Sequence, residues 1–302
     1  MNTELETKIE KISKVLNVEE IISLSPDKDY IRKYYRINRI PYSLFHTSTD
    51  RIYMGISRDG VYKEDDLLGI ARIVSDYISK QKAQTVLELA TGRGANSFYL
   101  AQQFPDTRFS GVDISEAQLS LANKKARKVG NYSPELGDYH DLSRFKDNTF
   151  DIVFVVEALC YSTDKGKVLQ EVNRILKDGG LFIIFDGYLN KKEEELTEIE
   201  KLACDLGEKG MALTDFESYQ SFLLKAKTDF RVAYEEDLSI FIIPTMKRFE
   251  RMGKIFFDHP TMAKIASKIL PKELINNAAT GYLMPTVMKN GLYCYMLTVL
   301  AK

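Results

Sequence analysis

Residues 85–94 read Thr-Val-Leu-Glu-Leu-Ala-Thr-Gly-Arg-Gly, a short apolar run that breaks into a turn with glycines at 92 and 94. A run of that length, bounded by glycines, predicts a buried strand over Thr85 to Ala90 entering a tight turn, with a helix following to about Gln103. Upstream, Leu67, Ile70, Ala71, Val74, Tyr77 and Ile78 recur at helical spacing and predict an amphipathic helix over about 64–81. Downstream, Arg108 to Val112 reads as a second strand. Ser115 with Gln118 predicts a capping box, and Gly130 the end of that helix. Phe150 to Val156 is nearly all apolar, the pattern of a parallel strand buried on both faces. Val168, Leu169, Val172, Ile175 and Leu176 mark another helix, which Gly179-Gly180 are expected to stop before a strand over Leu181 to Phe185. Strand and helix alternate through short connections, so the predicted fold is α/β, a Rossmann-like doubly wound, mainly parallel sheet.

Two stretches break that rhythm. Residues 1–62 read as helical and then aromatic, an N-terminal covering. The core is expected over 63–189, completed by strands at about 229–238 and 291–302. The segments 190–228 and 239–290 read as helical insertions that cover a substrate, after the fifth and sixth strands. No internal repeat or low-complexity tract is found.

The balance of 42 basic and 43 acidic residues leaves a net charge of -1, no field with which to gather phosphate backbones, so nucleic acid is not an expected partner. The basic run Lys124, Lys125, Arg127 and Lys128 falls at a predicted helix end, where it complements the dipole. No stretch reaches the roughly 20 apolar residues of a membrane span, although a peripheral membrane contact is left open. The first residues are polar and alternate in charge, unlike a secretory signal. Cys160, Cys204 and Cys294 lie far apart, suggesting neither zinc nor disulfides and pointing to a cytoplasmic setting. With three histidines in the chain, no metal is expected.

In an open parallel sheet, ligands bind at the carboxyl ends of strands where the strand order reverses. The turn after Glu88 sits at such an end, and Gly92 and Gly94 let the backbone approach a ligand. Asp113 follows Gly94 by 19 positions, at the end of the next strand, where a carboxylate accepts ribose hydroxyls. A nicotinamide enzyme shares those features. Its fingerprint, however, needs a third glycine where this chain has Ser97. Glu88 also repels pyrophosphate, whereas it suits a ligand with a cationic amine and a sulfonium.

With these residues in place, the chain resembles the class I S-adenosylmethionine-dependent methyltransferase family. Glu88 to Gly94 is similar to its acid-x-Gly-x-Gly-x-Gly motif, with Ala90 in place of the first glycine. The resemblance implies a seven-stranded sheet, S-adenosyl-L-methionine as cofactor, Ala90, Gly92 and Gly94 around its methionine part, and Asp113 on its ribose. It extends to Gly137-Asp138-Tyr139, where Asp138 would accept from the adenine amino group and Tyr139 would flank the ring. Asn148 to Asp151 and Leu176 to Gly180 match further landmarks, so the likeness covers roughly residues 65–190.

On the acceptor side, Glu157 to Tyr161 and the aromatic stretch from Tyr34 and Tyr35 through Tyr42 and His46 to Met54-Gly55 look like the sterol, tocopherol and prenyl C-methyltransferases. Phosphoethanolamine N-methyltransferases are similar over the core but carry histidine at the place of Tyr161. Glu157 is the candidate to stabilise positive charge or take a proton, with Tyr161 as a second base. Tyr35 is expected beside the cofactor's sulfonium. Tyr34 and Tyr42 are expected to add cation–π stabilisation around the sulfonium as well, and Tyr34, Tyr42, His46 and Tyr282 are expected at the acceptor. Six methionines from Met246 onward (Met246, Met252, Met262, Met284, Met288 and Met296) read either as an adaptable apolar lining or as ordinary core. The expected function is methyl transfer to carbon, oxygen or nitrogen of a small lipophilic metabolite by a monomer or homodimer. A non-catalytic S-adenosylmethionine-binding sensor is the rival reading, and an NAD-dependent oxidoreductase is disfavoured by Glu88 and Ser97.

Overall fold

The computed structural model describes residues 3–41, 49–213 and 216–302, with the side chains of residues 28, 35, 39–41 and 193 outside that description. Seven strands form one sheet: β1 Thr85–Leu89, β2 Arg108–Asp113, β3 Tyr132–Leu136, β4 Phe150–Val156, β5 Leu176–Leu189, β6 Arg231–Asp237 and β7 Tyr293–Ala301. Their spatial order is β3-β2-β1-β4-β5-β7-β6. The first five are parallel, and β7 runs antiparallel to β5 and β6. The order reverses between β1 and β4, so the crevice opens there.

Among the described residues the helices are α1 Thr3–Ser13, α2 Val18–Ile22, α3 Lys28–Pro41, α4 Gly69–Gln81, α5 Ala95–Gln103, α6 Glu116–Ala126, α7 Lys165–Ile175, α8 Glu198–Gly210, α9 Tyr219–Ala226, α10 Ser239–Phe257, α11 Pro260–Ile269 and α12 Lys272–Lys289. Alternation along each strand splits the core into two layers. Val86, Ile152, Phe154, Ile183 and Val299 face α4, α5, α6 and the helices added at the N-terminus and after β5 and β6. Leu87, Val153, Val155, Phe182 and Leu300 face α7 and α9. The added helices hold one another: α1 packs on α8 and α12, α2 on α8, α3 on α12, and α10 on α12.

Three local readings are corrected. The helix expected over 64–81 is a 3₁₀ turn, Glu64–Leu68, before α4. The Asp66 carboxylate accepts from the Lys63 N–H and the Ser57 hydroxyl, tying that turn to the preceding loop. Ser115 caps α6, but the Gln118 side-chain oxygen accepts from Arg93 Nε instead of closing the box. Gly179-Gly180 do not stop a helix. The helix ends at Ile175, and both glycines lie inside β5 beside a register shift opposite Phe150 and Ile152.

The approach of α10 to α12 depends on Gly253, where an added Cβ would stand 2.6 Å from Tyr282 Cβ and 3.0 Å from the Ala278 carbonyl. Both obstacles belong to a helix backbone and its first side-chain atom, so the helices must part. Gly253→Ala is expected to cost about 2 kcal/mol and to lower Tm by roughly 5 °C; an unchanged melting curve would refute this account of the contact.

Candidate functional site

A cavity of about 530 Å³ opens at the β1/β4 reversal, floored by the strand ends and walled by α3, α10 and α12. Five carboxyl groups line it: Asp50, which is paired with Arg93 and Lys125, Glu88 on β1, Asp113 at the end of β2, Glu157 just after β4, and Asp186 on β5.

Glu88 is buried and holds the turn that follows it. Its carboxylate accepts from Thr91 Oγ1 at 2.7 Å, Ser97 Oγ at 2.5 Å, Ser97 N at 3.2 Å and Asn96 Nδ2 at 3.2 Å. Ser97 at the position of the third fingerprint glycine is therefore a partner of Glu88. Burial pushes the Glu88 carboxyl up to about 7 against the opposing pull of these donors.

The glycine turn runs along the cavity floor. Ala90, Gly92 and Gly94 all line or border the cavity floor with φ of 50°, 54° and 69°. A Cβ on Gly94 would stand 2.8 Å from Tyr132 Oη and 3.0 Å from Ala122 Cβ, so this position needs both the conformation and the space. Ala90 adopts a positive φ without that freedom, as does Glu157 at 48°. Backbone strain of about 1 kcal/mol or more at each thus sits on the two strands that flank the reversal.

Asp113 Oδ2 accepts from Gly92 N and Oδ1 from Ser115 N, both at 2.8 Å. Burial raises this carboxyl too. It therefore locks the glycine turn while bordering the cavity. Gly137 and Tyr139 are in the wall, and the Tyr139 hydroxyl donates to the Ala158 carbonyl. Asp138 is not among the lining residues. Its Oδ1 accepts from the His140 N–H and meets His140 Nδ1 at 2.6 Å, while His140 Nε2 reaches Ser162 Oγ at 2.8 Å. The predicted adenine contact is thus engaged by its own loop in this structure.

At the acceptor end, Glu157 Oε1 accepts from Met54 N at 2.7 Å and from Tyr295 Oη at 2.8 Å. Among the described residues Oε2 has no hydrogen-bond partner. Burial, with the Asp186 charge nearby, raises Glu157 to about 7. Tyr161 lines the cavity and donates to the Met211 carbonyl at 3.1 Å, bridging the 3₁₀ turn Leu159–Tyr161 to the insertion after β5. Tyr34 is buried in the wall and donates to Asn277 Oδ1 at 2.8 Å.

Tyr282 is not brought to the cavity. It stacks on Phe257 with Lys8 Nζ over its ring and is not among the lining residues, although Ala278, one helical turn before it, is. Tyr42 and His46 lie outside the described residues, as does the side chain of Tyr35. Of the six methionines, Met246, Met252, Met284 and Met288 line the cavity; Met262 is on the surface, and Met296 is buried in the layer beneath α7.

The prediction missed Tyr295, Met54 and Asp186. Tyr295 reaches Glu157 from the last strand, a distance in sequence that no local pattern bridges. Asp186, whose oxygens accept from Cys160 N and Gly187 N, had a usable signal: an acid at the carboxyl end of a predicted parallel strand.

Desolvation pushes up the carboxyls of Glu88, Asp113, Glu157 and Asp186, whereas Asp50 is lowered, its burial outweighed by Lys125 and Arg93. A ligand cation entering this space would relieve that penalty. The site therefore fits an amine-and-sulfonium donor: an acid beneath a glycine turn, a second at the next strand end, and flanking aromatics. Among the described residues no cluster of metal-binding side chains occurs.

Residues 80–231 match a family model described as a methyltransferase domain. Among curated relatives, the 24-methylenesterol C-methyltransferase 3 of Arabidopsis thaliana is 29% identical over 168 residues, 54% of this chain and 46% of that protein. The chain spans less than half the length of the first three curated relatives it matches, 46%, 35% and 35%. Among solved structures, the cyclase SpnF superposes with a TM-score of 0.70 at 15% identity, covering 92% of this chain and 97% of that one. The geranyl diphosphate C-methyltransferase of Streptomyces coelicolor A3(2), in complex with Mg2+, geranyl diphosphate and S-adenosyl-L-homocysteine, gives 0.62 at 16%, covering 90% and 96%. At these identities the two structures establish the fold.

Proposed function

The chain belongs to the methyltransferase-domain family, and from that premise we propose that it moves a methyl group from S-adenosylmethionine to a small lipophilic acceptor by in-line displacement. The observation that carries this reading is the acidic, desolvated cradle at the β1/β4 reversal, where Glu88 and Asp113 flank a positive-φ glycine turn. The cofactor, when bound, supplies an electrophilic methyl on a sulfonium. Gly92 and Gly94 let the backbone close on its methionine part, Glu88 balances the cationic amine, and Asp113 accepts from the ribose hydroxyls.

Displacement at a sulfonium asks the protein chiefly to align donor and acceptor and exclude water. Met246, Phe249, Phe256 and Met284 in the cavity wall supply an apolar seat for the acceptor. Glu157, with one oxygen held by Met54 N and Tyr295 Oη, presents the other to the reacting end. There it balances positive charge or takes the proton that the acceptor releases. Tyr161 holds the 3₁₀ turn in register with Met211 and borders the same space.

Calorimetric titration with S-adenosylhomocysteine tests the reading. Binding on the order of micromolar is expected, with no uptake of NAD. No heat from well-folded protein with either S-adenosylmethionine or its demethylated product would end the proposal. Tight binding without label transfer to any lipophilic acceptor offered would favour the sensor reading.

A further inference from the structure

We propose that the outer face of α10 and α11 docks this protein on an anionic lipid surface, against which the cavity opens. Met262, Ile265 and Ile269 are 70%, 58% and 77% exposed. Their spacing of three and four places them on one side of α11. Ile255, in the last turn of α10 before α11, is 65% exposed as well. Scattered apolar residues at a surface need no explanation, but a contiguous patch with a polar rim marks an interaction site. Met252 and Leu270 are exposed and also line the cavity. The patch is therefore the rim of the site.

The charge around it identifies the occupant. Residues 247–272 carry seven basic side chains and two acidic ones, in a chain whose net charge is -1. Both acids are already matched: Glu250 by Lys8, and Asp258 by Lys11 and Lys254. Lys264 and Lys268 are exposed and make no ion pair among the described residues. Lysines flanking an apolar helical stripe can lay their stems along it and reach outward to anionic headgroups. No helix of the described residues is long and apolar enough to cross a membrane, which suits a helix lying in the interface. A second copy fits poorly, because two-fold pairing of this face would set like charges against each other.

Docking through this surface does not depend on methyl transfer. Its test is co-sedimentation of the full chain with vesicles of phosphatidylcholine alone or mixed with phosphatidylglycerol. Binding to the anionic vesicles, at least tenfold stronger than to the neutral ones and weakened by salt, is expected. Ile265→Asp with Ile269→Asp, and separately Lys264→Glu with Lys268→Glu, should each lower it tenfold or more while thermal melting stays that of the native protein. Equal binding to both vesicles, or none, would overturn the proposal. So would variants that bind like wild type, or a dimer seen by light scattering that the same variants dissolve.

Discussion

Replacement of Glu157 by glutamine is expected to lower kcat about 100-fold or more, with S-adenosylhomocysteine affinity changed by no more than about twofold. The carboxyl lies just after β4, and two donors from distant segments, Met54 N and Tyr295 Oη, fix Oε1. Both can still donate to a glutamine oxygen, so the geometry survives while the charge is removed. Burial places Glu157 near pH 7, and its proposed role belongs to the ionised form. The rate should therefore rise as pH increases through that region. A bound cationic cofactor would hold Glu88 ionised, so the limb of the kcat profile is expected to report Glu157. It should vanish in the variant. Tyr295→Phe, which removes one donor, is expected to move the limb upward. Unchanged turnover at saturating cofactor, or a limb that persists in Glu157→Gln, would remove Glu157 from the chemistry.

Asp113→Ala is expected to weaken S-adenosylhomocysteine binding roughly 100-fold, the loss of one charge-assisted contact of about 1.5–3 kcal/mol. Part of that loss is indirect. Asp113 accepts from the backbone N–H groups of Gly92 and Ser115, so the variant also loosens the turn that must close on the ligand. Asp113→Asn separates the contributions, since one oxygen remains to hold one of the two N–H groups. An intermediate affinity is expected for it. Titration calorimetry with wild-type affinity in both variants would sink the ribose assignment and the cradle reading with it.

The central strands were legible because burial on both faces is written into composition, whereas β3, Tyr132–Leu136, is largely exposed on one face and was not read. Phe150 to Val156 carries no periodicity to misread, and β4 has those bounds. The helices of the core were read from their 3.6-residue spacing, and their ends from capping residues. Where a boundary depended on a neighbour, the reading slipped. Gly179-Gly180 look like a helix stop, yet they relieve a register mismatch between β4 and β5, which only the paired strands reveal.

The same division runs through the site. Glu88, Asp113 and Glu157 occupy strand ends, so the position of each at the sheet's carboxyl edge follows from register along the chain. Their environment does not. Tyr295 meets Glu157 because the antiparallel β7 lies beside β5, and Met54 arrives from a loop far from either. Tyr282 shows the opposite failure. α12 is buried on nearly every side, so its sequence has no polar face from which to infer which residues turn to the cavity.

What the sequence by itself determined was the alternation of strand and helix, the crevice at the reversal, and the acids and glycines at its edge, because these follow from local periodicity and strand polarity. The tertiary structure decided which side chains meet there, how far burial raises the carboxyls, and how α3, α10 and α12 wall the cavity. Those properties come from contacts between segments far apart in the chain, and desolvation has no value until the segments are packed.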